Sequence, residues 1–344
     1  MRVWNRVAKV LVAAILLVAA VLLTAPSAWA QGENYDIYLL AGQSNADGRG
    51  VIEGVTDQGQ FVPGLVGDLA QYALPQPEHR IYFSNPGISD DIAGNPEYVT
   101  GWQTLQPGFS IEPGFRGPLG DFDENGIITS FNTNTFGPEV SFASEIAEAT
   151  GTTNNVGIIK VTDGGTSLAV DWRAPGSDSA DDEGGLHYAL LVSQALAALE
   201  ALEAEGNTGT IRGLVWHQGE SDSSSARASQ YQDRFENFVA QLQEDLDLEE
   251  LPTVIGELAP SRPNNGEIAP VLASIAADND SISLTSSVGL ESVSSEDLTH
   301  FNTASQIELG RRFAQDLALL VIPEPATLAM MWLPLVALAS RRRR

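Results

Sequence analysis

A serine, an aspartate and a histidine stand in this chain in settings that suit acyl-transfer chemistry. Ser44 lies in Gly-Gln-Ser-Asn (residues 42–45), directly after the apolar run Tyr35–Ala41. Far along the chain, Asp297-Leu298-Thr299-His300 precedes a helix-like apolar segment. A serine hydroxyl is a weak nucleophile until a base removes its proton. The base in turn needs a carboxylate to fix its tautomer and stabilise its cation. Asp297 and His300, three residues apart on one turn, can form that pair locally and leave the other imidazole nitrogen for Ser44. A glycine ahead of the serine permits a sharp turn whose free N–H groups can face an oxyanion. On the tetrapeptide alone, the same serine also suits the N-cap of a following helix.

Two further stretches share this character. Lys160-Val-Thr-Asp-Gly-Gly-Thr-Ser places Gly164-Gly165 after one strand-like run, and Trp216-His-Gln-Gly-Glu-Ser-Asp follows another. Positioning them requires elements that deliver each segment to one edge. The chain alternates strand signals (Asp36–Ala41, Val156–Val161, Ile211–His217, Thr253–Leu258, Ser281–Thr285) with amphipathic helical ones. Gly137-Pro138-Glu139 opens a helix that Gly151 stops, with Val140, Ala143, Ile146 and Ala147 on one face. Others span about Leu186–Glu205 and Tyr231–Leu246, and a last one begins at Thr303 with Gln306 completing a capping box. Such alternation predicts a parallel sheet covered by helices on both faces. Ligands in such folds collect at the carboxyl ends of the strands. Residues 85–136, rich in Gly, Pro, Asn and Asp, read as long loops on the rim.

The ends of the 344-residue chain read as address labels. Residues 1–30 carry Arg2, Arg6 and Lys9, an apolar run Val10–Leu23 and Ala28-Trp29-Ala30, the layout of a secretory signal peptide with a small-x-small cleavage site. Residues 321–344 join Pro323-Glu324-Pro325, an apolar stretch and four arginines. That stretch is short of the ~20 residues a stable span needs, so membrane contact is expected only transiently, through this tail. The tail resembles the PEP-CTERM sorting signal of Gram-negative bacteria that make extracellular polysaccharide. The resemblance implies an exported protein handled by signal peptidase and an exosortase; an ordinary carboxy-terminal anchor is the alternative. Between the labels stand 11 basic and 44 acidic residues, a formal net charge of −33. That charge repels nucleic acid and anionic membranes. With no cysteine, a thiolate nucleophile, a thiolate metal site and disulfides are all excluded.

Taken together, GQSN (42–45), GPEVSFA (137–143), GGTS (164–167), WHQGESD (216–222) and DLTH (297–300) resemble the SGNH (GDSL-like) hydrolases. The likeness is to the sialate O-acetylesterase and plant-type carbohydrate acetyl esterase branch. The motifs stand in that family's order and cover roughly Tyr35–Leu320. The resemblance implies a flavodoxin-like three-layer α/β/α sandwich with a mostly parallel five-stranded sheet. It implies Ser44 as nucleophile, His300 as general base and acid, and Asp297 as its orienter. The oxyanion hole would comprise the N–H groups of Ser44 and Gly165 and the side-chain amide of Gln218. Gln43, Asn45, Glu220 and Asp222 would support the site or touch substrate. No cofactor is required for this chemistry. The implied activity is removal of O-acetyl groups from carbohydrate: acetylated xylan, sialic acid or matrix polysaccharide. A non-catalytic glycan-binding matrix protein on the same fold is the alternative, against which the retained triad set argues.

Other polar and aromatic residues read more weakly. Trp102 and Trp172 suit either a sugar-stacking wall or ordinary packing. His217 reads as a structural hydrogen-bonder, and His79 and His187 as surface residues. Asp121, Asp123, Asn125 and the Ile127 carbonyl match the first half of an EF-hand-type loop, a possible structural Ca²⁺ site. Asn132 replaces the closing glutamate, so an Asn-Gly turn in an acidic loop is the competing reading.

Overall fold

The computed structural model describes residues 32–57, 59–85, 98–110, 134–179 and 182–322. The segments expected to be a leader and, from residue 323, a sorting tail, and the loop Asp121–Asn132 expected as a possible calcium site, lie outside the described residues. The strands of the main sheet are β1 (Asn34–Gly42), β2 (Gln76–Asn85), β3 (Tyr98–Leu105), β4 (Asn155–Thr162), β5 (Thr208–His217), β6 (Thr253–Gly256) and β7 (Ile282–Thr285). They form one sheet in the order β7-β6-β5-β1-β4-β2-β3. Five of them, all parallel, are those the sequence predicts, and they are contiguous. The expected five-stranded sheet is extended on one side by β2, parallel to β4, and by β3, antiparallel to β2. The sheet is therefore seven-stranded, and part of the segment expected to be loop is the edge strand β3.

Helices α1 (Glu139–Thr150), α2 (Leu186–Ala204), α3 (Tyr231–Asp245), α4 (Ala269–Asp278) and α5 (Thr303–Val321) cover the sheet. The two-residue period of β1 shows how the layers close. Ile37, Leu39 and Ala41 join the cluster with residues of α2, α3 and α4, whereas Tyr38 and Leu40 join the one with α1 and α5. On α3, Phe235 and Phe238 are fully buried and pack against Trp216 of β5. Each such side chain contributes about 1.5–3 kcal/mol by leaving water. Gly151 ends α1 in the left-handed conformation, φ 62°, as its place after the last apolar residue predicts.

The cap of α5 differs from expectation. Asn302, not Thr303, is the N-cap, its side chain accepting from the Ser305 N–H. Thr303 Oγ1 instead accepts from the Val51 N–H, and the Gln306 amide donates to the Asn45 carbonyl, so tertiary partners replace the capping box. Among the described residues no helix is long and apolar enough to cross a membrane.

His217 closes β5 as a fully buried side chain. Its Nε2 lies 3.2 Å from the Glu257 carbonyl, and its ring lies tilted against Phe301 and edge-on to Phe313. The carbonyl assigns the proton to Nε2, and burial pushes the ring's pKa below its ordinary value. The unfolded chain therefore takes up a proton near pH ~6.5 that the folded chain refuses until lower pH. Stability is complete above that value and is expected to fall below it, by up to ~1.4 kcal/mol per pH unit for this one group. Urea unfolding at neutral and mildly acidic pH should show a smaller pH difference in His217→Asn than in the parent. An unchanged difference would remove His217 from the account.

Candidate active site

Three central strands deliver the site. Gly42 of β1 stands opposite Thr162 of β4 and His217 of β5, so the segments after these strands emerge side by side. The Asp163 N–H donates to the Gly42 carbonyl, and the Gln43 N–H to that of His217. Gly42 turns the chain at φ 140°, and a Cβ there would lie 2.2 Å from the His217 oxygen. Only glycine fits. Beyond it, Ser44–Asp47 form a single helical turn with the serine at its first position, so Ser44 is within this turn and not its cap.

The Asp297–His300 loop, which precedes α5, reaches this turn from the far end of the chain. His300 Nε2 lies 2.9 Å from Ser44 Oγ. On the other side of the ring, Nδ1 lies 2.9 and 2.8 Å from the two carboxylate oxygens of Asp297. The carboxylate assigns the proton to Nδ1, which leaves the Nε2 lone pair facing the hydroxyl. Asp297 Oδ1 also accepts the N–H groups of Thr299 and His300, locking the turn. Burial pushes the Asp297 carboxyl up, but the bonds from His300 and the charge of Arg49 outweigh it, so the pKa lies below its ordinary value. The acid is thus ionised and oriented, with side-chain exposures of 9% for Asp297 and 15% for His300.

Asn45 sets this meeting in place. Its amide donates to Glu220 Oε1 at 2.7 Å and to the Thr299 carbonyl at 3.0 Å, while its oxygen accepts the Phe301 N–H. One fully buried side chain therefore ties the nucleophile turn to both sides of the histidine. The N–H groups of Ser44 and Gly165 have no partner among the described residues. Gly165 is exposed and sits at φ 80°. These two N–H groups are available to an oxyanion.

Gln218 is placed differently from expectation. It is fully buried, and its amide nitrogen lies 2.7 Å from Asp222 Oδ2 and 3.1 Å from both Gln43 Oε1 and the Thr166 carbonyl. The Tyr231 hydroxyl, itself accepting from Trp216 Nε1, donates to the Gln218 oxygen and so fixes the amide's orientation. Two N–H groups already face three inward acceptors, which leaves none for a substrate oxygen. Gln218 is instead the hub joining the nucleophile segment to the Gly164-Gly165 loop, and Asp222 extends it to the N–H groups of Leu168 and Ala169. Gln218→Ala is accordingly expected to lose about 1–3 kcal/mol of stability along with activity, because buried polar groups lose their partners. An activity loss with unchanged urea stability would restore the oxyanion role.

Neither tryptophan forms a sugar-stacking wall. Trp172 is fully buried, bonded to Thr166 Oγ1 and packed edge-on to Trp216. Trp102 lies on edge strand β3, against Tyr35 and Tyr82, with its N–H on the Ala198 carbonyl. His187 is not a surface residue either: its Nε2 pairs with Asp163 Oδ2 at 2.8 Å beside the Gly164-Gly165 loop. The sequence carries no local signal for that pair, whose members are 24 residues apart. His79 is half-buried on β2.

Beneath the turn lies a buried charge that residue spacing does not reveal. Lys160 Nζ, wholly enclosed, contacts the Asp47 carbonyl at 2.7 Å, the Phe109 carbonyl at 2.6 Å and Glu139 Oε2 at 2.9 Å. Burial pushes the Glu139 carboxyl up, against the pull of Lys160.

The Asp297–His300–Ser44 chain of hydrogen bonds is an arrangement that could activate a serine hydroxyl. Residues 34–318 match the family described as SASA, carbohydrate esterase, sialic acid-specific acetylesterase. The chain belongs to this family. As a member of the SASA family it is a carbohydrate O-acetylesterase, a carboxylic ester hydrolase. Among solved structures it resembles a protein from Arabidopsis thaliana at 20% identity and a TM-score of 0.58, over 85% of this chain and 100% of that one. It resembles NanS at 18% and 0.53, over 83% and 97%. A carbohydrate acetylesterase from Xanthomonas citri matches at 16% and 0.54, over 83% of this chain and 56% of that one. These likenesses are likenesses of fold, and they agree with the three-layer α/β architecture. Among curated proteins, none matches this sequence.

Proposed function

We propose that this SASA-family protein is an exported serine esterase that removes acetyl groups from polysaccharide through Ser44, His300 and Asp297. The observation that carries the reading is the continuous hydrogen-bonded chain from the Asp297 carboxylate through the imidazole to the Ser44 hydroxyl. Ser44 Oγ attacks the acetyl carbonyl as His300 Nε2 takes its proton. The oxyanion settles on the N–H groups of Ser44 and Gly165. His300 then returns the proton to the departing sugar oxygen, leaving an acetyl ester on Ser44. Water, deprotonated by the same nitrogen, releases acetate and restores the serine.

The signal-peptide layout and the PEP-CTERM-like tail support export and sorting in a polysaccharide-producing bacterium, with the cell's own matrix as one source of substrate. The test is acetate release by the purified protein from a panel of acetylated xylan, acetylated sialic acid and acetylated matrix polysaccharide. Release from a polysaccharide, absent in Ser44→Ala, is the expected result. Binding without release from any member would instead favour a glycan-binding matrix protein.

A further inference from the structure

Two loops meet beside the nucleophile, and one hydroxyl joins them. The turn at residues 163–166 is pinned at both ends. At Asp163 the N–H donates to the Gly42 carbonyl, and the carboxylate pairs with His187. At Thr166 the hydroxyl donates to the Asp163 carbonyl and accepts from the Trp172 indole, while the carbonyl accepts from the Gln218 amide. Between these pins stand Gly164 and Gly165, both exposed. Among the described residues their only hydrogen bond comes from Ser221 Oγ, which donates to the Gly165 carbonyl at 2.9 Å.

Ser221 is itself firmly placed. It is the middle residue of the turn Glu220–Asp222, which the Asp222 N–H closes onto the Gly219 carbonyl. Its N–H donates to Gln43 Oε1 at 3.3 Å, next to the nucleophile, and its carbonyl accepts from Arg227 Nη1 at 2.8 Å. The hydroxyl therefore reaches Gly165 from a fixed base. Gly165 has no such base of its own. It sits at φ 80°, and among the described residues nothing lies within 4 Å of where its Cβ would be. A glycine so placed lets the peptide planes on either side of it rotate at little cost. A bond to its carbonyl removes one of the rotations that would swing its N–H away.

We infer that Ser221 is a positioning residue for the hydrolysis, holding the Gly165 N–H toward the oxyanion. The inference rests on the reading of Ser44 as nucleophile and of Gly165 as an oxyanion donor. The hydroxyl acts through the glycine, because its proton is committed to the Gly165 carbonyl. An ester carbonyl oxygen carries little charge in the ground state and a full negative charge in the tetrahedral intermediate. A steadier donor therefore lowers the barrier without tightening the binding of substrate. The effect is that of one ordinary hydrogen bond, about two- to tenfold in rate. The bond is exposed, so water replaces it in the unfolded chain and its loss costs the fold little.

The test compares the full chain with its Ser221→Ala and Ser221→Thr variants, using p-nitrophenyl acetate as substrate and methylboronic acid as inhibitor. The boron accepts a lone pair of Ser44 Oγ as the hydroxyl proton passes to His300, giving a tetrahedral anion with an oxygen at the oxyanion position. Ser221→Ala should lower kcat by about two- to tenfold and raise the inhibition constant of the boronic acid by a similar factor, with KM and the unfolding temperature unchanged. Ser221→Thr, which keeps the hydroxyl, should restore both. A parent kcat in Ser221→Ala, a rise in KM alone, or a loss of rate that tracks a fall in unfolding temperature would each overturn the inference. The second of these marks a substrate contact and the third a structural tie. Ser44→Ala in the same assay separates the two levels. Retained activity there refutes the serine mechanism, whereas lost activity there beside an unaltered Ser221→Ala refutes only the role of Ser221.

Discussion

Ser44→Ala is expected to lower kcat for acetyl-ester hydrolysis by about 10⁵–10⁶-fold while leaving the fold intact. The two halves of that expectation have separate causes. Among the described residues the Ser44 hydroxyl is the only hydrogen-bond partner of His300 Nε2, so its loss should remove the covalent route entirely. The remaining rate comes from the oxyanion donors and the shape of the site, about 10³–10⁴ over water. Among the described residues the hydroxyl makes no other side-chain bond, so urea stability should change by less than about 1.5 kcal/mol. Asp297→Asn should cost about 10⁴-fold through the wrong tautomer, with Ser44 still in place. Acetate release measured beside an unfolding curve checks both variants. A Ser44→Ala protein that retained a tenth of the parent rate would place the nucleophile elsewhere.

Lys160→Met should have the largest effect on stability, a loss of about 3–5 kcal/mol. The ammonium is fully enclosed and serves three oxygens, so its removal takes the Lys160 counter-charge from buried Glu139 and one charged donor from the Asp47 and Phe109 carbonyls. The consequence reaches Ser44 and its neighbours through Asp47. Its carbonyl rests on Lys160 and its carboxylate accepts from Thr162 and Ser110, so this plug is the floor under the nucleophile turn. Pairing the change with Glu139→Gln should recover part of the loss, because the second substitution removes the uncompensated charge. Urea denaturation of the single and double variants decides the matter. A single variant within 1 kcal/mol of the parent would show that burial has been relieved by rearrangement.

Much of the site was legible because its segments follow strands with an unambiguous apolar pattern. YDIYLLA, NVGIIKV and the end of TGTIRGLVWH are buried on both faces, and each ends in small or polar residues where a parallel sheet opens to ligand. The strands that were not legible lack that pattern. Gln76-Pro77-Glu78-His79-Arg80 opens β2 with polar residues that remain partly exposed, and Gly101, at φ 61°, interrupts the alternation of β3. Both belong to the outer side of the sheet, where one flank does not need to be apolar.

Side-chain direction escaped the sequence for a different reason. Nothing local distinguishes an amide that faces substrate from one that faces Asp222, Gln43 and Thr166, and only the packing of Tyr231 decides it for Gln218. The same holds for Trp172 and for Lys160. An indole or an ammonium looks equally suited to solvent and to the interior until its partners are known, the Phe109 carbonyl for Lys160 and the Thr166 hydroxyl and Trp216 ring for Trp172.

The most direct measurement is pre-steady-state hydrolysis of p-nitrophenyl acetate followed by mass spectrometry of the quenched protein. A burst of p-nitrophenol close to one equivalent per enzyme is expected when deacylation is the slower step, together with an acetyl group on the peptide that carries Ser44. An acetyl group trapped on any other residue, or turnover by Ser44→Ala at the parent rate, would contradict the Ser44 mechanism.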